Sequence, residues 1–111
     1  MPKLSVLLMM VFFFTIEAYS QTISASGSVS DTTEKKGVQN AVVALLHAKD
    51  SVLYKFVRTD AAGKYSFRNL KPGEYIVMTT HPYFADVVFN LDLKDAETIV
   101  PSISVTSKSK L

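Results

Sequence analysis

The chain has 111 residues, 12 basic against 10 acidic side chains, and no cysteine. This length allows one domain, and a formal net charge of +2 without a basic run argues against a nucleic-acid partner. The lack of cysteine excludes disulfides, zinc–thiolate sites, iron–sulfur clusters and a thiol nucleophile. His47 and His81 lie on different predicted elements without clustered acidic ligands, so we expect no metal, no cofactor and no catalytic centre.

The first 20 residues have the pattern of a secretory signal peptide. Lys3 precedes Leu4–Ile16, a run of 13 residues without a charge. Ala18 and Ser20 then place small residues three and one before a cleavage point between Ser20 and Gln21. A helix of 13 residues rises only about 20 Å, short of a ~30 Å hydrocarbon core, which favours a cleaved signal over an anchor. We therefore expect an exported mature chain from Gln21 onward, without a transmembrane segment.

Short runs of alternating apolar and polar residues recur through the mature chain and predict an all-β domain. The predicted strands cover residues 23–30, 41–46, 52–59, 64–67, 74–80, 85–93 and 98–105. The second strand is apolar on both faces, which indicates a central position, and Pro101 interrupts the last strand or places it at an edge. Seven short strands at this spacing favour an antiparallel β-sandwich or a small barrel, with one weak helical turn around residues 93–97.

Residues 60–63 and residues 72–73 have the composition of tight turns. After the third strand, Asp60 can accept backbone hydrogen bonds and Gly63 can take a positive φ, which predicts a hairpin to the fourth strand. Before the fifth strand, Pro72 presets φ and Gly73 supplies the positive φ of a type II turn. Residues 31–37 are polar and predict a loop between the first two strands.

The aromatic residues divide into a core set and a candidate surface set. Inward-facing alternation predicts core packing for Tyr65, Phe67 and Tyr75. Four others are candidates for exposure, and hence for a protein or sugar surface: Tyr54, Phe56, Tyr83 and Phe84. The orientation of the third strand is ambiguous, because Leu53 and Val57 compete with Tyr54 and Phe56 for its inward face.

The segments at residues 27–31, 37–45 and 59–75 occur in a distinctive order. The last of them reads Thr-Asp-x-x-Gly-x-Tyr-x-Phe-x-Asn-Leu-x-Pro-Gly-x-Tyr. Together they resemble the carboxypeptidase regulatory-like domain from about residue 24 to residue 105. The resemblance implies a seven-stranded antiparallel, transthyretin-like (prealbumin-like) β-sandwich of the carbohydrate-binding-like fold class. The chain departs from the family pattern where it lacks a proline near Val38–Gln39 and has Pro82-Tyr83-Phe84 in place of a Gly-Tyr pair.

Residues 48–55, Ala-Lys-Asp-Ser-Val-Leu-Tyr-Lys, narrow the resemblance further. They are similar to the stretch found where this domain stands at the N-terminus of Bacteroidetes outer-membrane β-barrel proteins and TonB-dependent receptors. In those proteins a Ser-Lys-rich joint follows the last strand and leads to the plug and barrel. The resemblance implies a non-catalytic structural and interaction module on the periplasmic side of the outer membrane, without peptidase activity. Its partner would be the receptor plug or barrel, or a periplasmic protein.

The expected organisation is a signal peptide at residues 1–20, a sandwich at residues 21–106 and a polar linker at residues 107–111. The polar end favours a fragment of a receptor over a free-standing domain. The alternative function is a free-standing secreted or periplasmic carbohydrate-binding module, which the fold class and the outward aromatic residues favour.

Overall fold

A computed structural model of the chain describes residues 22–110. The predicted signal peptide and its cleavage point between Ser20 and Gln21 lie outside the described residues. The strands are β1 (Ile23–Asp31), β2 (Val42–His47), β3 (Leu53–Arg58), β4 (Lys64–Leu70), β5 (Gly73–His81), β6 (Phe84–Leu93), β7 (Glu97–Ile99) and β8 (Ile103–Val105). A short 3₁₀ helix, Lys108–Lys110, follows them. Within residues 22–110, no helical segment combines the length and apolar character that a membrane crossing requires.

The strands form two four-stranded sheets that pack face to face. In the first sheet β1 lies between β4 and β7, and β8 pairs with a further part of β1. The second sheet has the order β3-β2-β5-β6, which places the doubly apolar β2 in its interior. The predicted all-β sandwich is therefore confirmed.

The core consists of the inward face of each strand, as period-two alternation predicts. On β1, Ile23, Ala25 and Val29 are buried while the intervening serines are only partly covered. The remaining sheet residues of the core are Val43, Leu45, Tyr65, Phe67, Leu70, Tyr75, Val77, Leu93, Ile103 and Val105. The core positions predicted for the three inward aromatic residues are thus correct.

The expectation of a wholly antiparallel sandwich is wrong for two strand pairs. β1 pairs antiparallel with β4, but β7 and β8 both run parallel to β1. The chain reaches β7 by crossing from β6 in the other sheet, and such a crossing does not impose the reversal that a tight hairpin imposes. Pro101 lies between β7 and β8 and divides the predicted last strand, which accounts for eight strands instead of seven. Residues 95 and 96 form a bend, and there is no helical turn between β6 and β7.

Asp60 and Gly63 form a turn that links the two sheets. The Asp60 carboxylate accepts hydrogen bonds from the N–H groups of Ala62 and Lys64, each at 2.9 Å. The Gly63 N–H donates to the Asp60 carbonyl, and Gly63 has a φ of 79°. The predicted hairpin is nevertheless wrong, because β3 pairs with β2 whereas β4 pairs with β1. Gly63 instead packs against another strand: a Cβ added there would collide with the Val29 carbonyl oxygen.

The predicted type II turn at Pro72–Gly73 is not formed either. Gly73 is the first residue of β5 and has a φ of 154°, far from the roughly +80° of a type II turn. The Lys71 carbonyl accepts a hydrogen bond from the hydroxyl of buried Tyr75 at 2.7 Å. Packing of Tyr75 in the core therefore engages the carbonyl that would have closed the turn.

Candidate interaction surface

A bulge in β3 decides which of its aromatic side chains face outward. The pairing of β3 with β2 shifts register at Tyr54, which is the extra residue of the bulge. Tyr54 consequently turns inward and packs against the core, whereas Phe56 faces outward with 57% of its surface exposed. Leu53, on the other side of the bulge, is also exposed. The outward pair of Tyr54 and Phe56 is thus not formed, because the bulge places them on opposite faces.

Tyr54 belongs to an aromatic cluster at one end of the core. Its ring stacks on that of Tyr75, with centroids 5.3 Å apart and an interplanar angle of 18°. The His47 ring lies 4.8 Å from Tyr54 and 5.5 Å from Tyr75. Burial is the main cause that raises the pKa of the Tyr75 phenol, and the charge and hydrogen bonding of Tyr54 raise it further. These contacts close the end of the sandwich, so His47 and Tyr54 have a packing role here.

The other two candidate aromatic residues lie at the turn between β5 and β6. Tyr83 is 73% exposed, and Phe84 is half-buried. The His81 ring lies 5.6 Å from Tyr83 and 5.1 Å from Phe84. β2 and β5 separate β3 from β6. Phe56 therefore lies on one edge strand of the sheet, whereas Tyr83 lies in the turn that leads into the other edge strand. The four aromatic residues therefore do not form one platform.

The polar segment after β8 lies against the start of β6. The Ala85 N–H donates to the Thr106 carbonyl at 2.9 Å, and the Lys108 N–H donates to the Tyr83 carbonyl at 3.0 Å. Ser107 forms an antiparallel bridge with Phe84 between these two bonds. The segment thus covers the edge of β6 at residues 83–85, and β8 contacts β6 beside it.

The middle of the outer face of the second sheet is apolar, which sequence reasoning missed. Its register places Phe56 beside Ala44, Ala44 beside Met78, and Met78 beside Val88, a row that crosses all four strands. An adjacent row contains Leu53, Leu46 and Ile76. We call these seven residues the outer apolar face: Ala44, Leu46, Leu53, Phe56, Ile76, Met78 and Val88. The sequence of β2 could have revealed this face, because β2 is apolar on both sides. In a two-layered sandwich, such a strand must turn one of its apolar sides away from the core.

The titratable groups form no metal-binding arrangement in the part of the chain described. Within residues 22–110, no group of three His, Asp or Glu side chains could hold a metal ion. His47 ends β2 opposite Tyr75, whereas His81 ends β5 near Phe84, so the two histidines lie at opposite ends of the sheet. Each histidine contacts aromatic rings.

The described chain forms two sheets that pack face to face, and no third layer covers them there. This architecture is that of a small β-sandwich module. The family model of the carboxypeptidase regulatory-like domain matches residues 24–106. The chain therefore belongs to the carboxypeptidase regulatory-like domain family. A search among curated proteins gives no sequence match.

Solved structures share the fold at low sequence identity. The Bacillus anthracis TIE protein is similar with a TM-score of 0.65 and 15% identity, over 78% of this chain and 17% of that one. The group B streptococcus pilus 2b backbone protein gives 0.61 and 16%, over 78% and 42%. The 3-chlorocatechol 1,2-dioxygenase of Rhodococcus opacus 1CP gives 0.61 and 10%, over 83% and 62%. The chain thus spans less than two thirds of each of these proteins, and the likeness shows the fold alone.

Proposed function

We propose that this domain is a non-catalytic structural and interaction module that forms the N-terminal periplasmic extension of a TonB-dependent outer-membrane receptor. Membership of the carboxypeptidase regulatory-like domain family fits a non-catalytic module. The observation that carries the proposal is the outer apolar face, since a contiguous apolar surface on a small domain marks a site of protein contact.

The outer apolar face is large enough to matter energetically. Phe56 and Val88, at the two ends of one row, are 57% and 58% exposed, and Leu53 is 52% exposed. Seven outward residues, each occupying about 4.8 Å across the sheet and about 6.8 Å along its strand, give a face of about 230 Å². Covering apolar surface stabilises a complex by about 25 cal/mol per Å² before the costs of association. A receptor segment that packs on this face would therefore hold the module in a defined position.

The envelope location rests on the N-terminal pattern. A charged start, an apolar run and small residues before Gln21 direct export in bacteria. When the protein is expressed with its own N-terminus in a Gram-negative host, we expect envelope material that begins at Gln21, determined by N-terminal sequencing. Cytoplasmic protein that still begins at Met1 would contradict export.

The receptor assignment can be tested by site-specific photo-crosslinking in the source bacterium. A photoreactive amino acid in place of Phe56 probes the outer apolar face, and one in place of exposed Ser66 on β4 probes the opposite sheet as a matched control. We expect Phe56 to crosslink to a peptide of an outer-membrane receptor and Ser66 to give much less product. Equal yields at both positions, or products without receptor peptides, would exclude the assignment. Gene sequence that continues into a receptor plug would support it independently.

Sugar binding is the second candidate, and the exposure of Tyr83 favours it, since an exposed ring can stack on a sugar. Titration with polysaccharides, followed by tyrosine fluorescence, separates the two functions. A saturable change that disappears in Tyr83→Ala but persists in Phe56→Ala would place a sugar at the β5–β6 turn. No change up to millimolar sugar would leave the protein-interaction module as the supported function.

A further inference from the structure

The side of the sandwich where β3 lies next to β4 is basic. β3 is an edge strand of one sheet and β4 an edge strand of the other, and the two strands contact each other. Residues 53–70 contain a single acidic side chain, Asp60, whose carboxylate accepts the turn hydrogen bonds described above. The four basic residues of this stretch are Lys55, Arg58, Lys64 and Arg68. We call this side the basic edge, and its charge favours an acidic partner.

The backbone of β4 is already engaged at part of this edge. The hydrogen bond from the Val29 N–H to the Gly63 carbonyl sets the pairing of β1 with β4. Alternation then directs the backbone groups of Ser66 and Arg68 away from β1. The Arg68 carbonyl accepts a hydrogen bond from the Lys55 ammonium at 3.0 Å. A side chain of β3 thus occupies the position that an N–H of an added strand would take, so β4 offers no continuous row of free backbone groups.

The backbone of β3, by contrast, is open at this edge. The Thr59 N–H donates to the Ala41 carbonyl, and the same register continues along β3 as far as Lys55. Alternation therefore turns the N–H and C=O groups of Phe56 and Arg58 away from β2. Within residues 22–110, no strand or isolated bridge pairs with this side of β3. Four backbone groups are thus available to an added strand.

A groove between β3 and β4 can receive the inward side chains of an added strand. It consists of two adjoining cavities of about 410 and 380 Å³, which share Val57 and Ser66 in their walls. Arg68 lines the first cavity, and Arg58 and Lys64 line the second. A carboxylate that enters either cavity would therefore meet a basic side chain.

We propose that β3 binds an extended acidic segment of a partner protein, which adds to its free edge as an antiparallel strand. The segment pairs with Phe56 and Arg58 and forms about four backbone hydrogen bonds with them. Its residue opposite Phe56 is apolar, because Phe56 is 57% exposed and lies at the border of the outer apolar face. Its residue opposite Arg58 carries a carboxylate, because no acidic side chain pairs with Arg58 within residues 22–110.

The size and charge of the contact predict weak, salt-dependent binding. A segment of about six residues covers less than the roughly 1,200 Å² of stable complexes. We therefore expect a dissociation constant of the order of hundreds of micromolar. Because exposed ion pairs supply part of the attraction, salt at about 0.5 M should weaken the binding. A second copy of this chain is a poor partner, since pairing β3 with β3 would bring two basic edges together.

Titration of the full chain with a synthetic peptide, followed through the backbone amide resonances in NMR, tests the proposal in whichever N-terminal form the host releases. The peptide is Thr-Glu-Val-Val-Glu-Thr with both termini capped. In the antiparallel register its first glutamate lies opposite Arg58, its second valine opposite Phe56 and its second glutamate opposite Lys55. We expect saturable shifts at these three residues and little change at Val88 on the other edge strand. A peptide with lysine in place of both glutamates should bind at least about tenfold more weakly.

Two methylated peptides separate strand addition from simple charge attraction. N-methylation of the second valine removes the N–H that donates to the Phe56 carbonyl, so it should abolish binding. N-methylation of the first valine, which lies opposite Val57, removes an N–H that points away from β3, so it should leave the affinity within about twofold. The two peptides have the same charge and composition, which makes each the matched control of the other.

A change of charge tests the role of Arg58. Arg58→Glu should lose at least about tenfold in affinity for the glutamate peptide. Lys36→Glu makes the same change of charge in the exposed loop after β1 and should bind like the wild type. No saturable shift up to about 5 mM peptide, well above the expected dissociation constant, would overturn the proposal. Equal binding of the two methylated peptides, or wild-type affinity in Arg58→Glu, would overturn it as well. The peptides test β3 itself, so the outcome does not depend on the receptor assignment.

Discussion

Two buried threonines with opposite hydrogen bonding provide the sharpest test of what stabilises the sandwich. The Thr59 hydroxyl donates to the Val38 carbonyl and accepts from the Ala41 N–H at 2.9 Å. The Thr79 hydroxyl is buried equally well but has no hydrogen-bond partner in the described chain. Substitution by valine keeps the shape of each side chain and replaces the hydroxyl by a methyl group. The same change should therefore have different consequences at the two positions.

Thr59→Val leaves two buried backbone groups without a partner, because Val38 and Ala41 are themselves covered. Each unpaired group costs about 1–3 kcal/mol, and the added methyl group returns about 0.8 kcal/mol. We expect a net loss of about 1–5 kcal/mol in the free energy of unfolding, which lowers Tm by at least about 5 °C in a domain of this size. Thr79→Val loses no bond, so its stability should be unchanged or higher by up to about 1 kcal/mol.

Urea unfolding followed by circular dichroism measures both changes, and Thr59→Ser, which retains the hydroxyl, serves as the control. We expect Thr59→Ser to cost about 1 kcal/mol, the value of one buried methyl group. Equal destabilisation by the two valine variants would show that the Thr59 hydrogen bonds do not hold the end of β3 to the start of β2. A greater loss in Thr79→Val would show the same.

Three further changes test other parts of the fold. Gly63→Ala should lower the free energy of unfolding by about 2–4 kcal/mol, because its Cβ would lie 2.7 Å from Gly37 Cα at a φ of 79°. In Gly73→Ala the new Cβ meets no atom closer than 3.7 Å. Thermal melts should therefore show only the cost of backbone strain for Gly73→Ala, about 1–2 kcal/mol. Burial raises the pKa of the Tyr65 phenol to about 12; the folded state then holds its proton between pH 10 and 12 while the unfolded state releases it. The free energy of unfolding should fall by up to about 2.7 kcal/mol across that pH range, and Tyr65→Phe should remove this fall. If the variant keeps the pH dependence of the wild type, burial does not raise the pKa of Tyr65. Lys55→Met should lower the urea midpoint, because it removes two hydrogen bonds between the sheets, at about 1 kcal/mol each; an unchanged midpoint would show that this bridge adds nothing.

Local alternation in the sequence was sufficient to predict the inner face of most strands. Period-two spacing places Tyr65 with Phe67, and Tyr75 with Val77, on a single face of a strand whatever its neighbours are. The turn residues Asp60 and Gly63 were also identifiable, because side-chain capping and a positive φ depend on only a few consecutive residues. Together with the family motif, these local features were enough to predict an all-β sandwich.

Only the tertiary structure decided which strands are neighbours, and the candidate surfaces depend on that choice. The bulge at Tyr54 arises from the fit of β3 to β2, and it separates two aromatic residues that simple alternation places on the same face. The outer apolar face requires the registers of four strands at once, and no single strand contributes more than two of its residues. The turn at Gly63 joins two sheets because β4 finds its partner in β1, far back along the chain. Pairing between distant segments is set by how whole faces pack against each other, and a one-residue shift of register reverses every side chain, so local spacing cannot determine it.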